Sequence, residues 1–169
     1  MFLRLLAFLC VLVLPQASLA QTSGTRAPDG VPSNCPVTKS SDKPLVPPYP
    51  YPATPYPGGS WFGTDRLWIA GPPIVWKGLP HYTPNDPTFR QKMQWWRQGY
   101  DFRTEPIPKL KVTGRRLDAP APPLITEVSN VAGSKPSMMV GMNFPTLGCW
   151  EITGRYEDDE LTFVVWVEK

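Results

Sequence analysis

The chain predicts an all-β fold, a sandwich or barrel of six to eight short antiparallel strands behind a proline-rich arm. Three features carry that expectation. From Met138 to Glu168 apolar and polar residues alternate with a period of two, in β-branched and aromatic text. Upstream, short strand-like runs are separated by Gly/Pro turns at near-regular spacing. Ahead of both, residues 21–60 differ in composition from everything that follows.

The N-terminus reads as an export signal. Arg4 precedes ten unbroken apolar residues, Leu5 to Leu14, and Pro15-Gln16 breaks the run. Ser18-Leu19-Ala20 then sets small residues at the −3 and −1 positions before Gln21, the grammar of a cleaved signal. The run is well short of the ~20 residues that span a bilayer, which argues against a membrane anchor. Cys10 sits inside the run without the small residues that precede a lipid-modified cysteine. The expected location is secreted or periplasmic, with no membrane span after cleavage.

Loss of residues 1–20 takes Arg4 along, so 16 basic residues face 14 acidic ones. A near-neutral, mixed surface offers no electrostatic case for nucleic acid or an anionic membrane. Two cysteines remain, Cys35 and Cys149, with one possible intramolecular pairing in an oxidising compartment. Such a bridge would close a loop of 115 residues. The alternative is two unrelated thiols.

The arm, residues 21–60, holds ten prolines from Pro28 to Pro57, including Pro47-Pro48-Tyr49-Pro50-Tyr51-Pro52 and Pro55-Tyr56-Pro57. Proline fixes φ and removes a donor, so extended polyproline II is expected here. The arm could be a stiff spacer, a strap pinned across the domain by Cys35, or a ligand for a proline-binding module.

The domain proper spans residues 61–169. Strands are expected at Arg66–Ala70, Ile74–Lys77, Lys92–Arg97, Lys109–Gly114, Leu124–Val128, Met138–Phe144, Trp150–Tyr156 and Leu161–Val167. Gly71-Pro72-Pro73 reads as a hairpin turn between the first two. Residues 87–97 are ambiguous. Asp86-Pro87, then Phe89, Met93 and Trp96 before Gly99, also fit a capped helix. The strand reading is preferred for Met93–Arg97, with a helical turn at Pro87–Gln91.

Three stretches carry a resemblance: Trp95-Trp96-Arg97-Gln-Gly-Tyr100-Asp, Leu110-Lys-Val-Thr-Gly-Arg115-Arg116-Leu-Asp118, and Phe144-Pro-Thr-Leu-Gly-Cys149-Trp150-Glu-Ile-Thr-Gly-Arg-Tyr156. Together they resemble a group of uncharacterised exported bacterial proteins. The last also resembles the penultimate strand of bacterial immunoglobulin-like modules. The resemblance covers roughly Trp61 to Val167 and implies an immunoglobulin-like β-sandwich without catalytic residues to transfer. Unlike antibody-type domains, the partner of Cys149 would lie in the arm and not in an early core strand.

Catalytic chemistry finds little support. His81 is the only histidine, in a proline-bounded loop, and cannot form a usual zinc site without free cysteines. There is no Gly-x-Ser-x-Gly elbow and no glycine-rich phosphate loop. Glu157-Asp158-Asp159-Glu160 forms an acidic hairpin tip whose simplest role is a solvated turn, with loose calcium binding as the alternative. Asp65, Asp101 and Glu105 could flank a cleft, though nothing places two of them at a hydrolytic separation. No cofactor and no metal site are expected.

Aromatic residues are the better hint. Seven tryptophans are many for one small core, and adjacent Trp95 and Trp96 must face opposite sides of a sheet. Trp166 alternates with Thr162 and Glu168 and so points outward. Trp95, Trp96 and Trp166 are therefore candidate binding aromatics, offering flat faces to a sugar or a protein unless the arm covers them. The expected function is a non-catalytic exported module with a structural or binding role at the cell envelope, its partner a protein or glycan. The alternative is a secreted carbohydrate-binding module or a carboxylate-dependent hydrolase.

Overall fold

In the computed structural model, residues 30–39, 43–71, 75–81, 83–131 and 136–169 are described. The expected signal segment 1–20, the start of the arm and Pro72-Pro73 lie outside them. Ten strands and no helix occur among the described residues. They are β1 (Trp61–Gly63), β2 (Leu67–Ala70), β3 (Val75–Lys77), β4 (Leu79–Pro80) and β5 (Phe89–Arg97), then β6 (Lys111–Arg116), β7 (Ile125–Asn130), β8 (Ser137–Phe144), β9 (Gly148–Tyr156) and β10 (Asp159–Glu168). The first sheet runs β1-β2-β5-β8-β7, with β4 paired to the start of β5. The second runs β3-β10-β9-β6.

Each inner face supplies half of one apolar core, as a two-layer architecture requires. On β9 and β10, Trp150, Ile152, Tyr156, Leu161, Phe163 and Val165 are all buried, so the period-two register holds residue by residue. Opposite them β8 buries Met138, Val140, Met142 and Phe144. Rings meet edge to face across the layers, Phe144 with Trp76 and Trp150, and Trp76 also meets Phe163 of its own sheet. Gly154 occupies an inward position of β9 because the Trp95 indole fills the space above it. A Cβ there would lie 2.4 Å from the Trp95 ring.

Several expectations need correction. Ten strands lie among the described residues where the sequence predicts six to eight, because β1 and β4 are too short to show a period. Not all pairings are antiparallel, since β3 lies parallel to β10. The first pair is no hairpin: β2 belongs to the first sheet and β3 to the second, so the chain crosses layers there. No helical turn forms at residues 87–91; β5 is extended from Phe89. Gln91 caused that ambiguity. It interrupts the inward set Phe89, Met93, Trp95 with a polar residue, whose amide donates across the layers to the carbonyl of Lys77.

Candidate functional site

The two outer faces of the sandwich are covered by successive parts of the arm. On the second sheet, Cys35 is disulfide-bonded to Cys149, with Cα atoms 5.6 Å apart. Val31, Cys35, Cys149 and Val164 form a small buried cluster of their own, with Val37, Leu117 and Trp166 against it. Just ahead of the start of β3, Thr38 pairs with the edge of β10. Its N–H donates to Val164 O at 2.9 Å, and the Val164 N–H donates to its hydroxyl at 2.8 Å. Beneath the bridge, Asp118 accepts from the Cys149 N–H at 3.1 Å and pairs with Arg116 at 2.7 Å. Burial opposes the Asp118 charge, but the hydrogen bonds from Arg116 and the Cys149 N–H outweigh it and hold the carboxyl below its usual range.

On the first sheet the proline/tyrosine stretch forms a roof. Leu45 bridges to Trp61, and the Trp61 indole N–H donates to Pro52 O at 2.9 Å. Tyr51 donates its hydroxyl to Arg97 O at 2.7 Å and meets Trp68 edge to face at 4.8 Å. Trp68, outward on β2, is thereby fully buried. The roof does not close. Between it and the sheet lies a hollow of about 350 Å3, lined by Tyr51, Tyr56, Trp61, Trp96, Gln94 and arm prolines. Trp61 and Trp96 meet edge to face at 4.8 Å in its floor, and Tyr56 on its rim is 93% exposed.

The candidate aromatics therefore part company. Trp95 is a core residue with no exposed surface, and so is no binding aromatic. Its place on β5 opposite Met138 turns it inward against Phe163 and Gly154. Trp166 does face outward, but its flat surface is taken up by the cluster under the disulfide. Trp96 alone lines the hollow. Tyr51, Tyr56, Trp61 and Gln94 were not singled out from sequence. The alternation that puts Trp96 outward also puts Gln94 outward, so that one was legible.

The acidic residues do not converge. Lys109 and Arg97 hold Glu157, Arg66 holds Asp159, and Arg155 holds Glu160. Asp101 accepts from the Arg103 N–H at 2.9 Å, closing a local turn. Glu105 accepts from Tyr156 and from the Lys109 N–H. Burial and the Glu105 carboxylate raise the Tyr156 phenol well above its ordinary range, so it stays a neutral donor. His81 Nδ1 accepts from the Thr83 N–H at 3.1 Å and lies 3.4 Å from Asp86. No group of three metal-ligating side chains gathers among the described residues. Nor is any helix there long and apolar enough to cross a membrane. The chain matches no protein-family model, no curated protein and no solved structure.

Proposed function

We propose that the protein is an exported, non-catalytic β-sandwich module that binds a component of the cell envelope through the hollow on its first sheet. The observation that carries this reading is the hollow itself. Roofed and floored by Pro and aromatic rings, it is concave, has the size of a small ligand site and leaves Tyr56 and part of Trp96 uncovered. Aromatic rings with one face free are costly to leave in water and adhere to partners that offer a flat apolar surface. Glu157, Asp159, Glu160, Asp101 and Glu105, in contrast, are engaged in ion pairs and turns, which favours binding over hydrolysis. The Cys35–Cys149 bridge supports an oxidising compartment, in keeping with the N-terminal signal.

The test is co-sedimentation of the purified, signal-free protein with envelope fractions. Wild type is expected to be captured, and Trp96→Ala to lose capture at least ~10-fold, a typical loss for an aromatic anchor. Melting temperature reports whether the variant still folds. Equal capture of a folded Trp96→Ala protein, or no capture of wild type, would overturn the proposal.

A further inference from the structure

The hollow is one end of a longer strip. On β5 the outward residues after Trp96 are Gln94 and Lys92, spaced by two residues, or about 7 Å each. Opposite Lys92 on β8 stands Gly141, and opposite Gly141 on β7 stands Glu127. Lys92 and Glu127 thus flank Gly141 at a backbone separation of roughly two strand spacings, about 10 Å. Both are exposed, and neither side chain has an ion-pair or hydrogen-bond partner among the described residues. Gln94 is likewise uncommitted. A Cβ on Gly141 would fit without clash, in ordinary contact with Glu127 at 3.8 Å. A glycine inside a strand weakens it and marks a bulge, a bend or the close approach of a ligand or another backbone, and the pairs on both sides of Gly141 run on in register without a bulge.

We propose that this strip holds a neutral glycan chain lying along β5, one ring stacked on Trp96 and another, about 14 Å further along the chain, passing over Gly141 between Lys92 and Glu127. The inference rests on the binding reading above and names the ligand class. A sugar ring presents an apolar face to an indole and hydroxyls at its edge, so it requires aromatic and amide or charged groups side by side. Gln94 comes first away from the aromatic end, and Lys92 and Glu127 follow side by side across Gly141, supplying donors and an acceptor. Lys92 and Glu127 cancel across Gly141, and Arg90, the next outward residue of β5, is engaged with the Pro80 carbonyl, which suits an uncharged ligand over this part of the sheet. A proline-rich peptide would use the aromatic hollow alone and leave the polar strip idle.

Co-sedimentation separates these cases. Envelope material digested with protease is expected to retain capture, and material oxidised with periodate, which cleaves vicinal diols of sugars, to lose it. Raising NaCl from about 50 to 500 mM is expected to change capture less than 2-fold, since no ion pair with the ligand has to be screened. Gly141→Leu fills the space above the strand, and should reduce capture ~10-fold or more at unchanged melting temperature. Gln94→Ala checks the same path without added bulk and should cost several-fold. Protease-sensitive, periodate-resistant capture would overturn the glycan while leaving the binding module standing. Steep loss with salt would overturn its neutrality. Full capture by folded Gly141→Leu and Gln94→Ala proteins would remove the strip from the site.

Discussion

The two outer faces of the sandwich are covered by the same arm, yet by different physics. The second sheet is sealed covalently. Its bare remainder is satisfied from within: Arg115 pairs with Glu151, Arg155 with Glu160, and Thr153 with Thr162. The first sheet is roofed by arm prolines and ring contacts, which exclude water from Trp68 but leave a hollow, and beside it Lys92, Gln94 and Glu127 have no partner among the described residues. One face has its central polar groups paired with each other, whereas Lys92, Gln94 and Glu127 on the other do not pair with one another. Cavity volume alone would mislead, because the larger concavity, about 670 Å3, lies on the self-satisfied face among Lys111, Thr113, Arg115 and Arg155.

The largest expected effect comes from cutting the covalent side of this contrast. Removing both cysteines, as Cys35→Ser with Cys149→Ser, should cost up to ~5 kcal/mol for so long a loop. Denaturant titration measures it. The two-part path of the arm sharpens the outcome. Residues 31–38 should become protease-sensitive, while residues 45–57 stay protected by Leu45, Tyr51 and the Trp61–Pro52 bond. Nicking of both segments at equal rates would show that the roof on the first sheet depends on the bridge, and that the faces are not independent.

Between the faces lies the shared core. Ile152→Ala is expected to cost ~2–5 kcal/mol, since it empties a fully buried site between the sheets. Gly154→Ala should cost ~1–3 kcal/mol by the opposite mechanism, driving a methyl into Trp95. A neutral Gly154→Ala substitution would mean that the Trp95 indole does not fill the space above that glycine.

The core was the legible part. Alternation over β9 and β10 gave the inward set correctly, because one residue of slip would bury Glu151 and Arg155. The same register put Cys149 outward and so made the arm its natural partner. What escaped was whatever periodicity does not encode. β1 and β4 are too short to have a period, and β5 hides its period behind Gln91. The crossing from β2 to β3 looks like a hairpin because Gly71 and two prolines bend a chain whichever sheet receives it. The proposed strip escaped for a related reason: Trp96, Gln94 and Lys92 are legible as one face of a strand, but their neighbours Tyr51, Tyr56 and Glu127 arrive from elsewhere in the chain. Gly141, alone inside strand text, was the local signal available.

A subtler break targets the footing of the bridge. Asp118 holds both Arg116 and the Cys149 N–H, so Asp118→Asn should cost ~1–3 kcal/mol. Its pH signature has a definite sign. The folded-state carboxyl titrates below its unfolded value, so its stabilisation is complete above about pH 4 and is lost as pH falls through the folded value. Wild type should therefore lose stability faster than Asp118→Asn on acidification. Parallel acid limbs for the two proteins would mean that Asp118 acts by shape alone.

The smallest effect is expected where polar groups already satisfy one another. Glu151→Ala breaks the Arg115 pair on the open part of the second sheet, where Arg115 is 72% exposed. An exposed pair is screened by water and salt, and holding two long side chains in one geometry costs entropy, so the change should be within ~1 kcal/mol. The sequence neighbour makes the control severe: Ile152, one residue on, faces the core, and the two variants should differ several-fold in cost. Envelope capture should also be unchanged in Glu151→Ala, in contrast to Gln94→Ala on the first sheet. A loss of capture in Glu151→Ala would reverse the assignment of faces, moving the binding surface to the threonine and arginine side, where the ion pairs would then have to open to admit a ligand.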